Sequence, residues 1–152
     1  LKRWHGELNN HPPSPKAVER DFTIKIPIQQ GFVTLRGRID RIDSTPSGGV
    51  ELVDYKTGKS KATKGFSAED KEQLLLYQIA AEEALGEKVE SLTYYYFEDG
   101  KTVSFIGTDK EKKGLKEEFA EVVEQMQKRD FPAKPGWHCK FCDFRDICEF
   151  RQ

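Results

Sequence analysis

The chain has 152 residues, which is enough for one domain with a real hydrophobic core. Its formal net charge is -1 although 34% of its residues are charged, so any affinity for nucleic acid has to come from a local basic patch. No apolar run approaches the ~20 residues that a membrane helix requires, and no signal peptide is evident, so we expect a cytoplasmic protein without membrane association.

Three strands are predicted in the first part of the chain. Hydrophobic residues alternate from Phe22 to Ile28, and Pro27 is typical of an edge strand or of a strand end. Residues 32 to 42 and residues 50 to 56 are both rich in strand formers, and the Ser-, Pro- and Gly-rich segment between them is a strong turn signal. The second and third runs therefore predict a β-hairpin.

The register of this hairpin decides what its acidic residues can do. If Ile42 pairs with Leu52, an apolar match, counting outward places Asp40 opposite Asp54 on the same face. Directly opposed residues have Cβ atoms about 4.5–5.5 Å apart, so both carboxylates could bind one hard divalent cation. A slip of one residue would set Asp40 against Val53, so the metal hypothesis also specifies the pairing.

The same register places Arg38 opposite Lys56, which follows Asp54 by two residues. A lysine beside two metal-binding carboxylates can orient or deprotonate the attacking water and neutralise charge on a phosphate. The arrangement therefore predicts a metal-dependent phosphodiesterase. The alternative is a pair of solvated carboxylates on an exposed hairpin, paired with Arg38, Arg41 or Lys56.

A lysine-rich loop follows the predicted hairpin, at residues 57 to 66. It carries Lys59, Lys61 and Lys64, which alone indicate only a soluble loop. Beside a metal site, together with Arg38, these cations could follow a phosphate backbone.

A helix is predicted over residues 69 to 85, with a capping-box-like start at Ser67 and Gly86 as its stop. Gln73 and Tyr77 lie four residues apart and so share one face of this helix. A glutamine amide and a phenol together could grip a phosphate or a water at the metal site. The alternative is a helix rim with a half-buried tyrosine.

A second hairpin and a second helix complete the predicted fold. Residues 92 to 97 and 102 to 106 flank a Gly-containing turn, and the tyrosines of the first run could stack on bases, although core packing is the stronger expectation. Thr108 then opens a helix whose apolar stripe is Leu115, Phe119, Val122, Val123 and Met126. The order of elements predicts an α+β domain with a mixed central sheet, on which the last helix packs.

All three cysteines of the chain, Cys139, Cys142 and Cys148, fall within ten residues near the C-terminus. Thiolates so spaced can bind zinc or an iron-sulfur cluster, but either site normally takes four ligands. His138 could supply a fourth ligand to zinc, although it is adjacent to Cys139. A disulfide plus one free thiol is the alternative, which a reducing compartment disfavours.

Four motifs together resemble one nuclease family. They are Gly37-x-x-Asp40, Asp54-Tyr55-Lys56-Thr57-Gly58, Gln73-x-x-x-Tyr77 and the closing cysteine pattern. Their combination in this order is similar to the RecB-type branch of the PD-(D/E)XK nucleases, which includes the nuclease domains of bacterial helicase-nucleases and the CRISPR-associated iron-sulfur nucleases. The resemblance spans Val18 to Phe150 and implies a restriction-endonuclease-like core.

The resemblance implies a Mg²⁺- or Mn²⁺-dependent deoxyribonuclease. Asp40, Asp54 and the backbone carbonyl of Tyr55 would hold the cation. The residues that it assigns to catalysis are Asp40, Asp54, Lys56, Gln73 and Tyr77. It also favours a [4Fe-4S] cluster over Zn²⁺ on the three cysteines, with the fourth ligand outside this chain.

The resemblance further implies that the chain begins inside the domain, because the family's N-terminal metal-site histidine and upstream cysteine have no good match; His5 is a poor candidate. Residues 1–17 would be the remnant of a preceding region or linker, residues 18–130 the nuclease core, and residues 131–152 a cysteine-bearing segment of the same domain. The partners would be DNA and a helicase motor, in the same longer polypeptide or in another subunit. Such a protein would act as an exonuclease in DNA double-strand break repair and recombination.

Three other functions remain open at this stage. The domain could be a DNA-end-binding module that keeps the nuclease fold without cleaving. It could be a structural module built on a metal cluster, or a hydrolase of a small phosphate ester.

Overall fold

The computed structural model describes residues 14–60, 68–128 and 132–150 of the chain. The predicted DNA-binding residues Lys61 and Lys64, and Ser67 of the predicted capping box, lie outside these ranges, as does His5.

Within the described residues the chain forms five strands and two α-helices, in an α+β arrangement that confirms the predicted fold class. The elements are β1 (Pro15–Ile28), β2 (Gly31–Ser44), β3 (Val50–Lys56), α1 (Ala68–Ala84), β4 (Val89–Tyr96), β5 (Lys101–Phe105) and α2 (Asp109–Gln127), followed by a short 3-10 helix (Trp137–Phe141). The strands form one mixed sheet in the order β1-β2-β3-β4-β5. Only the β3–β4 pair is parallel.

Strand β1 begins at Pro15 rather than at Phe22, where its apolar alternation starts. The added residues are mostly exposed and polar, so they show no hydrophobic period. They form a strand because they pair in antiparallel register with the second half of β2, for example Val18 with Arg41. A partner strand rather than burial therefore explains this extension.

The predicted match of Ile42 with Leu52 is confirmed. The β2–β3 ladder, however, ends at Arg41 opposite Val53. The residues of β2 that precede Arg41 pair with β1 and not with β3. The expected ladder pairs of Asp40 with Asp54 and of Arg38 with Lys56 therefore do not form. Arg38 lies opposite Asp21 of β1 and forms an ion pair with it, with Nε 2.6 Å from Oδ1.

Helix α1 is the crossover that the parallel β3–β4 pair requires. Its residues Leu74 and Ile79 are buried in one cluster with Leu52 of β3 and Leu92 of β4. Each such buried side chain contributes roughly 1.5–3 kcal/mol to stability. The helix ends before Gly86, whose φ of 69° suits a glycine.

Helix α2 begins with the predicted capping box, in which Thr108 and Glu111 bond each other's backbone N–H groups. Leu115 is buried, and Phe119 packs against the core that α1 and β1 share. The apolar stripe of α2 is not buried along its whole length, since Val122 and Met126 are about half exposed. The second half of α2 lies at the tip of the β1–β2 hairpin, where Gln29 N donates to Glu124 Oε1 at 3.0 Å.

In the described part of the chain, no helix is long and apolar enough to span a membrane.

Candidate active site

Two charged side chains of β3, those of Asp54 and Lys56, point toward α1. Leu52 and Asp54 are buried on the face that α1 covers, and Lys56 continues this alternation to the end of the strand. Tyr55 points to the opposite face, because successive strand residues face opposite sides. The first turns of α1 lie over the end of β3, so that Gln73 reaches the side chains of Asp54 and Lys56.

Asp54, Lys56 and Gln73 form a closed polar cluster. Lys56 Nζ donates to Gln73 Oε1 at 2.8 Å and lies 2.9 Å from Asp54 Oδ2. Gln73 Nε2 donates in turn to Asp54 Oδ1 at 3.2 Å. The side chain of Lys56 is 29% exposed, whereas that of Asp54 is 5% exposed, so the ammonium group can meet a ligand while its partner carboxylate is shielded from solvent.

Two tyrosines enclose Gln73. Tyr77 Oη accepts from Gln73 Nε2 at 3.0 Å, and Tyr94 Oη donates to the carbonyl of Asp70 at 2.6 Å while lying 3.2 Å from Gln73 Oε1. Lys56 Nζ sits 4.6 Å from the centroid of the Tyr94 ring, in a cation–π contact. Burial raises the pKa of both tyrosines, so their hydroxyls stay protonated and keep Gln73 in one orientation.

Asp40 lies where β2 and β3 separate. The ladder between the two strands stops one residue away, at Arg41 and Val53. In place of a further backbone pair, the Asp40 side chain accepts a hydrogen bond from the backbone N–H of Tyr55, with Oδ2 3.2 Å from N. The carboxylate of Asp40 therefore spans the opening between the diverging strands and lies beside the backbone of the β3 site.

Burial raises the pKa of Asp54 above its ordinary value of 3.8. The close contact and positive charge of Lys56 lower that pKa, whereas the negative charges of Asp40 and Asp70 raise it further. The net effect is upward, so the positive charge of Lys56 does not fully compensate the buried carboxylate. The remaining negative charge of the Asp54 carboxylate therefore favours the binding of another cation.

The oxygen atoms of the site fit a hard divalent cation. Asp54 Oδ2 is buried, and although Lys56 Nζ lies 2.9 Å away, the two groups are not aligned as a hydrogen bond within the described residues. Mg²⁺ is commonly held by one or two carboxylates and keeps several waters. Asp40, Asp54 and the carbonyl of Tyr55 offer that donor set. Across the described ranges, no group of three or more His, Cys, Asp or Glu side chains is placed to hold a metal.

A sequence model of the PD-(D/E)XK nuclease superfamily matches residues 1–149. The chain belongs to the PD-(D/E)XK nuclease superfamily. No curated protein matches it. Among solved structures, one titled "Crystal structure of SSO0001" is similar with a TM-score of 0.55 and 19% sequence identity, over 97% of this chain and 68% of that chain. This likeness shows a shared fold.

Two of the cations predicted for DNA binding are paired with acids in this superfamily domain. Arg38 lies beside Asp21 and also within 3.4 Å of Glu19. Lys59 lies 3.5 Å from Glu98 and is 72% exposed, so it remains within reach of a ligand near the end of β3. Of the predicted basic patch, Lys59 is the described residue that follows β3 closely in sequence.

The three cysteines are free thiols, so the structure shows no disulfide among them. Cys142 is exposed, and Cys139 and Cys148 are half-buried. The structure does not bring these thiols and His138 together as a metal-binding group. The expected cluster is therefore not preformed by the described part of this nuclease-superfamily chain.

Tyr94 is the site residue that sequence reasoning missed. From the sequence it is expected to be a packing residue, because adjacent tyrosines suit any half-buried strand. The structure places it beside Asp54, its direct partner in the parallel β3–β4 ladder. The strand–helix–strand order is typical of a parallel crossover and could have indicated that some β4 residue lies next to Asp54.

Proposed function

We propose that this PD-(D/E)XK domain is a metal-dependent DNA nuclease of the RecB-type branch, which hydrolyses phosphodiester bonds as an exonuclease. The observation that carries the proposal is the buried Asp54 carboxylate held between Lys56 and Gln73, with Asp40 at the neighbouring strand opening. A purely structural ion pair needs neither the second carboxylate nor an oxygen left without an aligned hydrogen bond.

Lys56 is the residue that would meet the scissile phosphate. An ammonium group has three N–H donors, and Asp54 and Gln73 occupy directions for two of them. The third can donate to a phosphate oxygen or to the attacking water. Gln73 and the Tyr94 ring keep the ammonium group in place before the substrate arrives. A positive charge already in position stabilises the transition state.

Asp40, Asp54 and the carbonyl of Tyr55 would hold the cation. When bound, Mg²⁺ or Mn²⁺ supplies Lewis-acid polarisation of the phosphate and lowers the pKa of water. The hydrogen bond from Tyr55 N–H to Asp40 keeps the first carboxylate beside the second strand. Gln73 keeps the Asp54 carboxylate turned toward Lys56, and Tyr77 holds Gln73.

Cleavage of a labelled DNA strand, in Mg²⁺, in Mn²⁺ and in excess chelator, tests the proposal. Wild-type protein should cleave only with the cation. Lys56→Met keeps the length of the side chain but removes its charge, so it should slow cleavage by about a hundredfold to a thousandfold, the usual effect of losing one group that stabilises transition-state charge. Lys56→Met protein that cleaves like the wild type would refute the assignment.

Lys112→Met is the matched control. Lys112 is also mostly buried, at 17% exposure, and its Nζ lies 2.6 Å from Glu82 Oε2, far along the chain from β3. Its replacement should cost stability similar to that of any half-buried ion pair but should leave the cleavage rate unchanged. A slow Lys112→Met protein would mean that Lys56→Met acts through folding.

A DNA-end-binding domain that does not cleave is the second candidate. It is favoured by the finding that, within the described residues, no group of three or more His, Cys, Asp or Glu side chains is placed to hold a metal. Purified protein that binds DNA but shows no Mn²⁺-dependent cleavage would support this candidate instead.

The wider setting is proposed from the motif resemblance. A helicase motor, in the same polypeptide or in another subunit, would deliver DNA to this domain during double-strand break repair and recombination in the cytoplasm. Arg38, Lys59, Lys61 and Lys64 would contact the phosphate backbone. Cys139, Cys142 and Cys148 would hold a [4Fe-4S] cluster once a fourth ligand joins them, with Zn²⁺ as the alternative.

A further inference from the structure

Three aromatic side chains, Tyr55, Tyr95 and Phe97, lie together on the sheet face that points away from α1. Tyr55 and Tyr95 are direct partners in the parallel β3–β4 ladder. Their chain neighbours face α1: Lys56 bonds Gln73, and Tyr94 bonds Asp70. Since side chains alternate along a strand, these three rings share the opposite face, and we call them the aromatic platform.

The rings of the aromatic platform are ordered by mutual packing. Tyr55 and Phe97 stack nearly parallel, with centroids 5.0 Å apart and planes 13° from each other. Tyr95 meets both edge-on, at centroid distances of 6.0 Å and 5.5 Å. Phe97 is nevertheless 52% exposed, so about half of this one oriented side chain is open to a ligand. A flat ring exposed in this way offers a stacking surface that needs little further ordering.

A cation is built into the platform. Arg41 Nη1 donates to the Tyr55 hydroxyl, and its guanidinium carbon lies 5.4 Å from the centroid of the Tyr55 ring. The largely buried Asp43 carboxylate holds Arg41 in turn, with Oδ1 3.0 Å from Nε. Aromatic rings beside a fixed guanidinium are the combination with which proteins bind single-stranded nucleic acid, because bases stack on the rings and the charge favours the phosphates.

The platform is joined directly to the candidate active site. The backbone N–H of Phe97 donates to the carbonyl of Lys56 at 2.9 Å, and Tyr55 lies between Asp54 and Lys56 in the chain. Consecutive Cα atoms are about 3.8 Å apart, so a ligand at the end of β3 can touch both faces of the strand end. A base on the platform and a phosphate at Lys56 would therefore belong to the same or to neighbouring nucleotides.

We infer that the aromatic platform stacks an unpaired base of the nucleic acid strand whose phosphate lies at Lys56. This inference rests on the proposed function and narrows its substrate to a strand that is single-stranded or frayed at this point. Bases inside a duplex have both faces covered by their neighbours and cannot stack on Phe97. The platform thus selects unpaired nucleotides without reading their sequence, since every base has a π-face.

Binding in the presence of a chelator tests this inference without any cleavage. The probes are a fluorescent oligothymidine strand and a covalently closed circular duplex, which has no end that could fray or stack on the ring. Phe97→Leu keeps an apolar side chain but removes the ring, so its affinity for the single strand should fall about tenfold, as for the loss of one stacked base. Its affinity for the duplex should not change, and Phe97→Trp should bind the single strand at least as well as the wild type.

Phe32→Leu is the control, because Phe32 is a similarly exposed aromatic with Lys25 Nζ 4.3 Å from its ring centroid, on the β1–β2 hairpin. It should bind both probes like the wild type. The inference is overturned if wild type does not bind the single strand, if Phe97→Leu binds it unchanged, if Phe97→Leu loses both probes equally, or if Phe97→Trp also loses it. None of these results depends on hydrolysis, so failure of the cleavage assay and failure of the platform are told apart.

Discussion

In its ionised form, Asp54 lowers the stability of the folded domain. It is buried, and its pKa is raised by that burial and by nearby negative charge despite the presence of Lys56. A group whose charged form is disfavoured in the folded state lowers the free energy of unfolding whenever it is ionised. Such residues are typical of functional sites, where chemistry rather than folding explains the residue type.

Asp54→Asn, which replaces the carboxyl by a neutral amide of similar size, should remove this destabilisation. Below pH 3.8 the carboxyl is protonated in both the folded and the unfolded state, so the difference between Asp54→Asn and wild type should not vary with pH there. As the pH rises through the raised pKa, the wild type ionises at a cost, so Asp54→Asn should become relatively more stable. Urea unfolding of the metal-free proteins between pH 3 and pH 7 measures this difference.

Asp21→Asn provides a control of opposite sign. The hydrogen bond from Arg38 lowers the pKa of the exposed Asp21, so its stabilising effect is present above pH 3.8 and is lost as the pH falls. Asp21→Asn should therefore be relatively less stable at neutral pH. If the stability of Asp54→Asn relative to wild type also fell as the pH rose to 7, Asp54 would not be a destabilising carboxylate.

At the level of the elements, Gly37 connects β1 to the candidate site. A Cβ atom at this position would lie 2.5 Å from Cζ of the buried Phe22, its direct partner across the ladder. The absence of a side chain lets the Phe22 ring lie over β2, where it meets Tyr77 edge-on at a centroid distance of 6.0 Å. Tyr77 in turn holds Gln73, so the glycine of the Gly37-x-x-Asp40 motif has a packing role.

Gly37→Ala should displace the Phe22 ring from this position. We expect a loss of about 1–3 kcal/mol in the free energy of unfolding, as for other overpacked cores, together with slower cleavage because Tyr77 no longer holds Gln73. Gly114→Ala is the control, since Gly114 lies within α2 and a Cβ there would meet nothing within 4 Å. That variant should gain roughly 0.5–1 kcal/mol. Equal effects in the two variants would contradict the packing role.

For the whole molecule, local patterns predicted most of the secondary structure. The alternation from Phe22 to Ile28, the turn before β3 and the Thr108 capping box all depend on residues close in sequence, and the apolar match of Ile42 with Leu52 then set the hairpin register. The mixed sheet followed from the order of the elements. These features could be predicted because each has a short-range physical cause.

Features that depend on partners distant in sequence could not be predicted in the same way. Residues at the start of β1 carry no apolar period, so the sequence did not indicate that they pair with β2. The departure of β2 from β3 after Arg41 sent Arg38 to Asp21 instead of Lys56. Tyr94 reached Asp54 only through the parallel crossover. Register across a crossover is decided by tertiary packing, which a single sequence does not display.

The cysteines of the C-terminal segment should contribute little to the stability of the whole molecule. Its described hydrogen bonds are local, such as those from Cys139 N to Gly136 O and from Cys148 N to Phe144 O, and its thiols are free. Replacement of all three cysteines by serine should therefore change the free energy of unfolding of metal-free protein by less than about 1 kcal/mol. Urea unfolding measures it. A loss of several kcal/mol would contradict the local character of this segment.

The central claim is that Asp40 and Asp54 hold one divalent cation between diverging strands. Calorimetric titration of Mn²⁺ measures this directly and does not depend on cleavage. We predict one site in the wild type, weakened by more than about a hundredfold in both Asp40→Asn and Asp54→Asn, because even supporting residues of metal sites contribute 10- to 100-fold. Asp21→Asn, on the neighbouring strand, should bind Mn²⁺ like the wild type. Unchanged Mn²⁺ affinity in either Asp40→Asn or Asp54→Asn would contradict the shared site.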